Sequence, residues 1–364
     1  MFKYLLSLII LVHGLIHCMG FTKGIGYSSA SQLTKYISKP MGFLWLCTAL
    51  LFVVTTVLHH YRKESWPYMA VAAIILSQVL IISAWHDAKF GTIANIIIFF
   101  VAIAGWGNQH FENKFIAHVK ANLQNNNSSA AAFLLEADIQ SLPQPVQKYV
   151  RYSGAINQPT LKSVRIVFDG EMRDKGKDWF TFKSIQYNLT EEPTRLFFMK
   201  AHMFGMMVPG FHNYQNKTAA MQVKLFGLFP VVQAKGNEMN KAETVTILND
   251  MCLLYPSSLI DKRIAWSPID STSAKATFTN GDNKISAILH FNKLGQLTNF
   301  ISDDRYAISD MKRYRFSTPV KNYKLINGRN VPTYGEAVWH YPDGDFVYGK
   351  FYLKTIDYNV YDYE

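Results

Sequence analysis

Hydrophobic positions fall into two regimes along the chain. Four apolar runs, Phe2 to Phe21, Met41 to Leu58, Tyr68 to Ala84 and Thr92 to Trp106, come first. Each approaches the ~20 residues a helix needs to cross a bilayer, the fourth by extending through Gly107 toward Phe111. They predict four transmembrane helices within residues 1–111. Lys3 ahead of the first run also fits a signal peptide, but no small-residue cleavage site follows and His13 and His17 interrupt the run, so it is read as a helix.

The second regime is strand-like. A polar stretch, Gln124 to Ser129, and two short helices, Ala130–Ile139 and Pro143–Tyr152, make residues 112–160 a linker region. From Ser163 onward the period becomes two. Strands are expected at Ser163–Met172, Trp179–Leu189, Arg195–Met203, Tyr214–Thr218, Ala220–Phe226, Ala274–Thr279, Ile285–Phe291, Leu297–Ser302, Val320–Ile326, Val331–His340 and Phe346–Tyr358. Asn280-Gly281-Asp282, Asn327-Gly328 and Asp343-Gly344 supply residues that tight hairpins require.

One helical pattern, Asn240 to Tyr255, interrupts the strands. Asn240 and Glu243 are spaced as a variant capping box, and Pro256 ends the pattern. Val245, Leu248, Cys252 and Tyr255 form one apolar row and Ile247, Met251 and Leu254 a second, as in a helix that is enclosed rather than laid on a surface. The expected class is α+β: a four-helix transmembrane bundle, then an antiparallel, strongly curved β-sheet, a half-barrel over residues 161–364, around that helix.

Charge adds little. Seven of the 37 Lys and Arg and two of the 26 Asp and Glu precede residue 107, dividing the net +11 into +5 and +6. The basic residues of the second part are interspersed with acids, which excludes a nucleic-acid partner and leaves an anionic membrane surface as the partner of the excess. Lys3, Arg62, Lys63, Lys114 and Lys120 on one side of the membrane face Lys23, Lys35, Lys39 and Lys89 on the other, a margin of one toward a cytoplasmic C-terminal domain on a multi-pass inner-membrane protein. Cys18, Cys47 and Cys252 read as small apolar residues.

Candidate chemistry sits in both regimes. His13 and His17 share a helix face, and hairpin tracing brings His86, Asp87 and Asn95 to the same bilayer surface. His13, His17 and His86 are thus candidate ligands for a metal or haem; the commoner reading is hydrogen bonding between helices. In the second regime the loops Met203–Phe211 and Leu225–Val232 are apolar, placing Met206 and Phe229 at the mouth of a cavity or folded inward as core. Glu243, Asn249 and Asp250 on the central helix, Arg305 after a strand, and Glu336 with Trp339 on a late strand are the polar and aromatic candidates for contact with a ligand. Asp250 and Glu336 facing one cavity would be an acid–base pair; Arg305 reaching them would make an ion-paired structural network, the commoner arrangement. No phosphate loop, nucleophile elbow or zinc pair occurs.

His13-Gly-Leu-Ile-His17, Asp87 to Asn95, Gly227 to Val232, Glu243 to Cys252 and Ser302-Asp-Asp-Arg305 together resemble a bacterial membrane protein family known as a domain of unknown function, DUF6544. That resemblance implies a bacterial setting and no reaction. The order of strands and helix also resembles the curved half-barrel of periplasmic lipoprotein carriers. The expectation is a membrane-anchored module that binds a lipid or other hydrophobic ligand; the alternative is a membrane redox protein whose metal or haem is held by the bundle histidines.

Overall fold

The computed structural model describes residues 2–27, 32–125, 132–203 and 205–363. The chain divides into two compact units, Met1–His110 and Phe111–Glu364.

In the first unit, α1 (Phe2–Ile16) and α2 (Cys18–Gly24) form one apolar length interrupted at His17, followed by α3 (Lys39–His60), α4 (Trp66–Ser83), the short α5 (Trp85–Ala88) and the start of α6 (Gly91–Asn125). Among the described residues four stretches are long and apolar enough to cross a membrane: Lys3–Gly24, Lys39–His60, Trp66–Ser83 and Gly91–Gln124. Small residues let the first and second come close. A Cβ on Gly20 would stand 2.2 Å from the Trp45 ring, and Gly24 meets the Gly42 backbone.

Two expectations about the connecting region change. The fourth helix does not stop near Phe111; it continues to Asn125 because Phe111, Phe115, Val119 and Leu123 recur every four residues and bury that stripe against Tyr187, Leu196, Phe198 and Phe211. Residues 126–129 of the expected polar linker lie outside the described residues, as do Ala130 and Ala131 of the first short helix. The remainder of that helix is a single 3-10 turn at Glu136–Ile139, and the second is α7 (Gln144–Tyr152).

The second unit is a 13-stranded antiparallel sheet. Its strands are β1 (Ser163–Met172), β2 (Phe180–Leu189), β3 (Thr194–Met203), β4 (Met206–Gln215), β5 (Thr218–Leu225), β6 (Phe229–Lys235), β7 (Ile264–Asp270), β8 (Ser273–Asn280), β9 (Asn283–Phe291), β10 (Leu297–Ala307), β11 (Lys312–Ile326), β12 (Arg329–Tyr341) and β13 (Gly344–Tyr358), and α8 (Asn237–Leu254) lies between β6 and β7 in sequence. The order β6-β5-β4-β3-β2-β1-β13-β12-β11-β10-β9-β8-β7 consists of two meanders joined where the last strand pairs with the first. The sheet therefore curls as a half-barrel around the helix that separates the meanders.

The two apolar stretches read as loops are hairpins. Met203 pairs with Met206 across the β3–β4 turn, and Leu225 with Phe229 across the β5–β6 turn. Phe204 of the first turn lies outside the described residues. Proline and glycine masked these strands, as did Pro268 in β7 and Pro319 in β11, because proline normally demotes a strand assignment. Pro230 and Pro268 sit on the two edge strands, where no ladder hydrogen bond is lost on the outer side.

α8 starts earlier than expected, at Asn237 after Gly236, whose φ of 107° suits only glycine. The capping box is absent. Asn240 instead accepts the Ala219 N–H of β5 at 2.7 Å, and Glu243 turns into an ion pair. Both apolar rows are buried, with Val245, Leu248 and Cys252 fully enclosed among Phe278, Leu289 and Phe300 of the sheet. At its end, the Tyr149 hydroxyl donates to the Cys252 carbonyl at 2.7 Å and the Tyr358 hydroxyl to the Leu254 carbonyl at 3.2 Å, satisfying acceptors the helix cannot.

Candidate functional site

Glu243, Asn249 and Asp250 of α8 are buried. Arg195, the second residue of β3, reaches the helix and donates from Nη1 to Glu243 at 3.1 Å and from Nε to Asp250 at 2.9 Å. Gln186 and Asn188 on β2 donate to the same Asp250 oxygen at 2.7 and 3.1 Å, and Asn188 also donates to the Tyr255 hydroxyl at 2.8 Å. His212 stands 3.6 Å from Glu243. Arg195, Glu243 and Asp250 are buried, so the cluster is an enclosed ionic network fastening the helix to the sheet.

One guanidinium serves two buried carboxylates, and they respond differently. Burial alone would raise the Glu243 carboxyl, but Arg195, helped by His212, holds it down at about 2. Burial raises Asp250 above its ordinary range, and Arg195, Asn188 and Gln186 offset only part of that. Two like charges around one cation cannot both gain its full stabilisation.

The network anticipated from the sequence, Arg305 with Asp250 and Glu336, does not form; the network present shares only Asp250 with it, with Arg195 as the cation and Glu243 as the second carboxylate. Arg305 belongs elsewhere. Its guanidinium lies 4.0 Å from the Phe316 ring centroid and 5.2 Å from that of Trp339, and donates to the Tyr348 hydroxyl at 2.8 Å. Its Nε is buried without a partner among the described residues. Glu336 accepts from Tyr334 at 2.6 Å and alternates with Gly335 and Ala337, so it faces away from α8 and makes no pair with Asp250. Asn249 donates to Thr318 Oγ1 at 3.1 Å.

Strand alternation explains why Arg195, Gln186 and Asn188 escape a reading of the sequence. Ser184, Gln186 and Asn188 form the polar set of β2 and would ordinarily face solvent, yet they are the inward set. The same face of β2 and β3, farther along, carries Phe182, Phe197, Met199 and Ala201, joined by Met172, Phe180, Met203 and Phe351. Every member of this cluster lies on a strand. Met206, 38% exposed, pairs with Met203 at its end, and Phe229, 62% exposed, lies on edge strand β6. Gly170 makes room, since a Cβ there would stand 2.2 Å from the Phe182 ring. Through Met172↔Gly349 and Ala337↔Gly349 the register puts the Phe/Met cluster at the same end of the sheet as Trp339 and Tyr348 of the Arg305 cage.

On the outer face Ser317 Oγ lies 2.8 Å from His340 Nε2, and His340 Nδ1 lies 2.6 Å from Asp345. This has the order of a nucleophile, base and orienter. Ser317 is nonetheless buried in a strand paired on both sides, which leaves no free pair of peptide N–H groups for an oxyanion.

In the bundle, His13 and His17 come together and His86 does not join them. His13 Nε2 meets Asn95 Oδ1 at 2.9 Å, and His17 bonds to the His13 carbonyl and to Ser77 Oγ. Asn95 donates to Ser77 and Gln78 at 3.0 Å each. His86 is exposed and pairs with Asp87, which also accepts from Thr34. Among the described residues no three His, Cys, Asp or Glu side chains converge as a metal site would require.

No curated protein matches the chain. Among solved structures it is similar to a LolA superfamily protein of Nitrosomonas europaea, at 8% identity over 58% of this chain and 91% of that one with a TM-score of 0.34. It is also similar to a beta-barrel-like protein of the domain of unknown function DUF1849 from Brucella abortus, at 9% identity over 55% and 100% with a TM-score of 0.16. Residues 132–351, more than half of the chain, match a family model described as a family of unknown function. That span includes the Gly227–Val232, Glu243–Cys252 and Ser302–Arg305 motifs, and the chain belongs to the DUF6544 family.

Proposed function

We propose that this protein is a membrane-anchored binding module for an acyl-chain ligand, held on the inner face of the half-barrel beyond α8. The observation that carries the reading is the strand-borne cluster of Phe182, Phe197, Met199, Met203 and Phe351, a largely buried apolar cluster on the helix side of the sheet to which no helix contributes among the described residues, so that a ligand would enter by displacing its Met and Phe side chains. Methionine side chains, unbranched and polarisable, adapt to a flexible apolar chain more readily than branched ones. Arg305, at the same end, supplies a cation for the ligand's polar head. α8 takes no part in this binding; its polar side chains are occupied by Arg195, Gln186 and Asn188. The four apolar helices anchor the module in a bilayer.

Native mass spectrometry of the full chain, released from mild detergent, tests this reading. Wild type retains an acyl lipid that M203D and M206D lose while melting at the same temperature. An identical lipid complement in all three proteins contradicts the assignment.

A further inference from the structure

A cavity in the first unit is lined mainly by basic and polar side chains. It occupies about 270 Å3 within the first unit and is lined by Lys3, His59, Arg62, Lys63 and Gln109 around Trp66. That is just under the roughly 300 Å3 at which small-molecule pockets begin, a size for a headgroup rather than a whole amphiphile. Lys3 opens the first span, Arg62 and Lys63 form the turn between the second and third, and Gln109 lies near the end of a bilayer's length of the fourth, so all belong to one membrane surface. His59 has one ring nitrogen bonded to Ser7 Oγ at 2.9 Å.

Two observations separate this cavity from an ordinary basic margin. Among the described residues no carboxylate pairs with Lys3, Arg62 or Lys63, and Glu64, the acid of the same turn, does not line the cavity. Arg62 also occupies a position built for glycine. The Arg62 N–H donates to His59 O and the Lys63 N–H to Leu58 O, the paired bonds that close a helix end, and the φ of Arg62 is 53°. A non-glycine residue is strained there by about 1–2 kcal/mol. A cation kept at a strained position beside other unneutralised cations points to a bound anion.

We infer that this cavity binds a phosphate group, carried by an anionic phospholipid or free in solution. Lys3, Arg62 and Lys63 supply charge, Gln109 donates a neutral hydrogen bond, and Trp66 gives the site an apolar wall. The inference rests on the membrane reading of the four apolar helices.

The test uses the full chain in bilayer discs of phosphatidylcholine containing phosphatidylglycerol, with retained lipids counted by native mass spectrometry. R62G is the informative variant, because it removes the guanidinium and relieves the strained φ. Wild type retains phosphatidylglycerol in preference to phosphatidylcholine; R62G and K63S each lower that preference about fivefold, and R62G melts no lower than wild type. Inorganic phosphate added to pure phosphatidylcholine discs distinguishes the sources: a rise in melting temperature for wild type but not R62G assigns the soluble anion. Equal retention of phosphatidylglycerol by all three proteins, with no response to phosphate, overturns the inference. Release of the protein from membranes by alkaline carbonate instead overturns the membrane reading on which it rests.

Discussion

Two of the buried polar clusters among the described residues, one in the bundle and one in the half-barrel, solve the same problem in opposite ways. In the bundle, His13, His17, Ser77, Gln78 and Asn95 close a chain of hydrogen bonds that includes no carboxylate and no permanent cation. In the half-barrel, Arg195 is enclosed with Glu243 and Asp250. A neutral cluster leaves each member with alternative partners, so its bonds contribute little individually. An ionic cluster is all or nothing: with every member present it roughly balances its desolvation, and with one missing it leaves a bare buried charge.

The largest expected effect follows from that asymmetry. R195L strands two carboxylates and lowers the stability of the half-barrel by about 3–5 kcal/mol, measured by denaturant unfolding of the full chain in detergent. The triple variant R195L/E243L/D250L, which removes all three charges, recovers most of the loss. If it is as unstable as R195L alone, charge compensation is not what Arg195 provides.

Acid gives the next effect. Glu243, with its pKa lowered in the fold to about 2, stabilises the folded state above its unfolded value near 4.5, and that contribution is lost as the pH falls toward 2. Asp250 works in the opposite sense. Its raised folded value favours the fold below its unfolded value of 3.8 and is lost as the pH rises through the folded one. The half-barrel therefore weakens on acidification by less than Glu243 alone would give, and E243Q flattens the dependence between pH 4.5 and 2. An unchanged acid limb in E243Q would detach the network from the pH response.

The smallest effect belongs to the bundle. H17L removes the bond to Ser77, which keeps its bond to Asn95, and the bond to the His13 carbonyl within its own helix; at about 0.6 kcal/mol for each bond it costs about 1 kcal/mol. A loss as large as that of R195L would erase the distinction between the clusters.

The same contrast marks what could be read from the sequence. The four apolar runs were legible as unbroken stretches long enough to cross a bilayer, and the strands because burial on one face of a sheet repeats at a period of two. The helix stripe Phe111, Phe115, Val119 and Leu123 was legible in principle and hidden by the polar residues between its members. β4, β6 and β7 carry proline within otherwise suitable strands, which disguised them as loops. At the candidate site, Glu243 and Asp250 stood out on an apolar helix, whereas Arg195 did not, since alternation says which residues share a face but not which face is inside. Arg305 was visible only as a charge; its aromatic cage is assembled from Phe316, Trp339 and Tyr348 on three other strands.

The division of labour proposed for the half-barrel, a helix locked by charge and a strand-borne apolar cluster that opens to a ligand, is tested most directly by photo-crosslinking. The full chain, reconstituted with a phospholipid carrying a photoactivatable acyl chain, is irradiated, digested and mapped. The account predicts adducts on the strands between Met172 and Met206 and near Phe351, in addition to those on the four apolar helices. Adducts confined to residues 2–110 would contradict it.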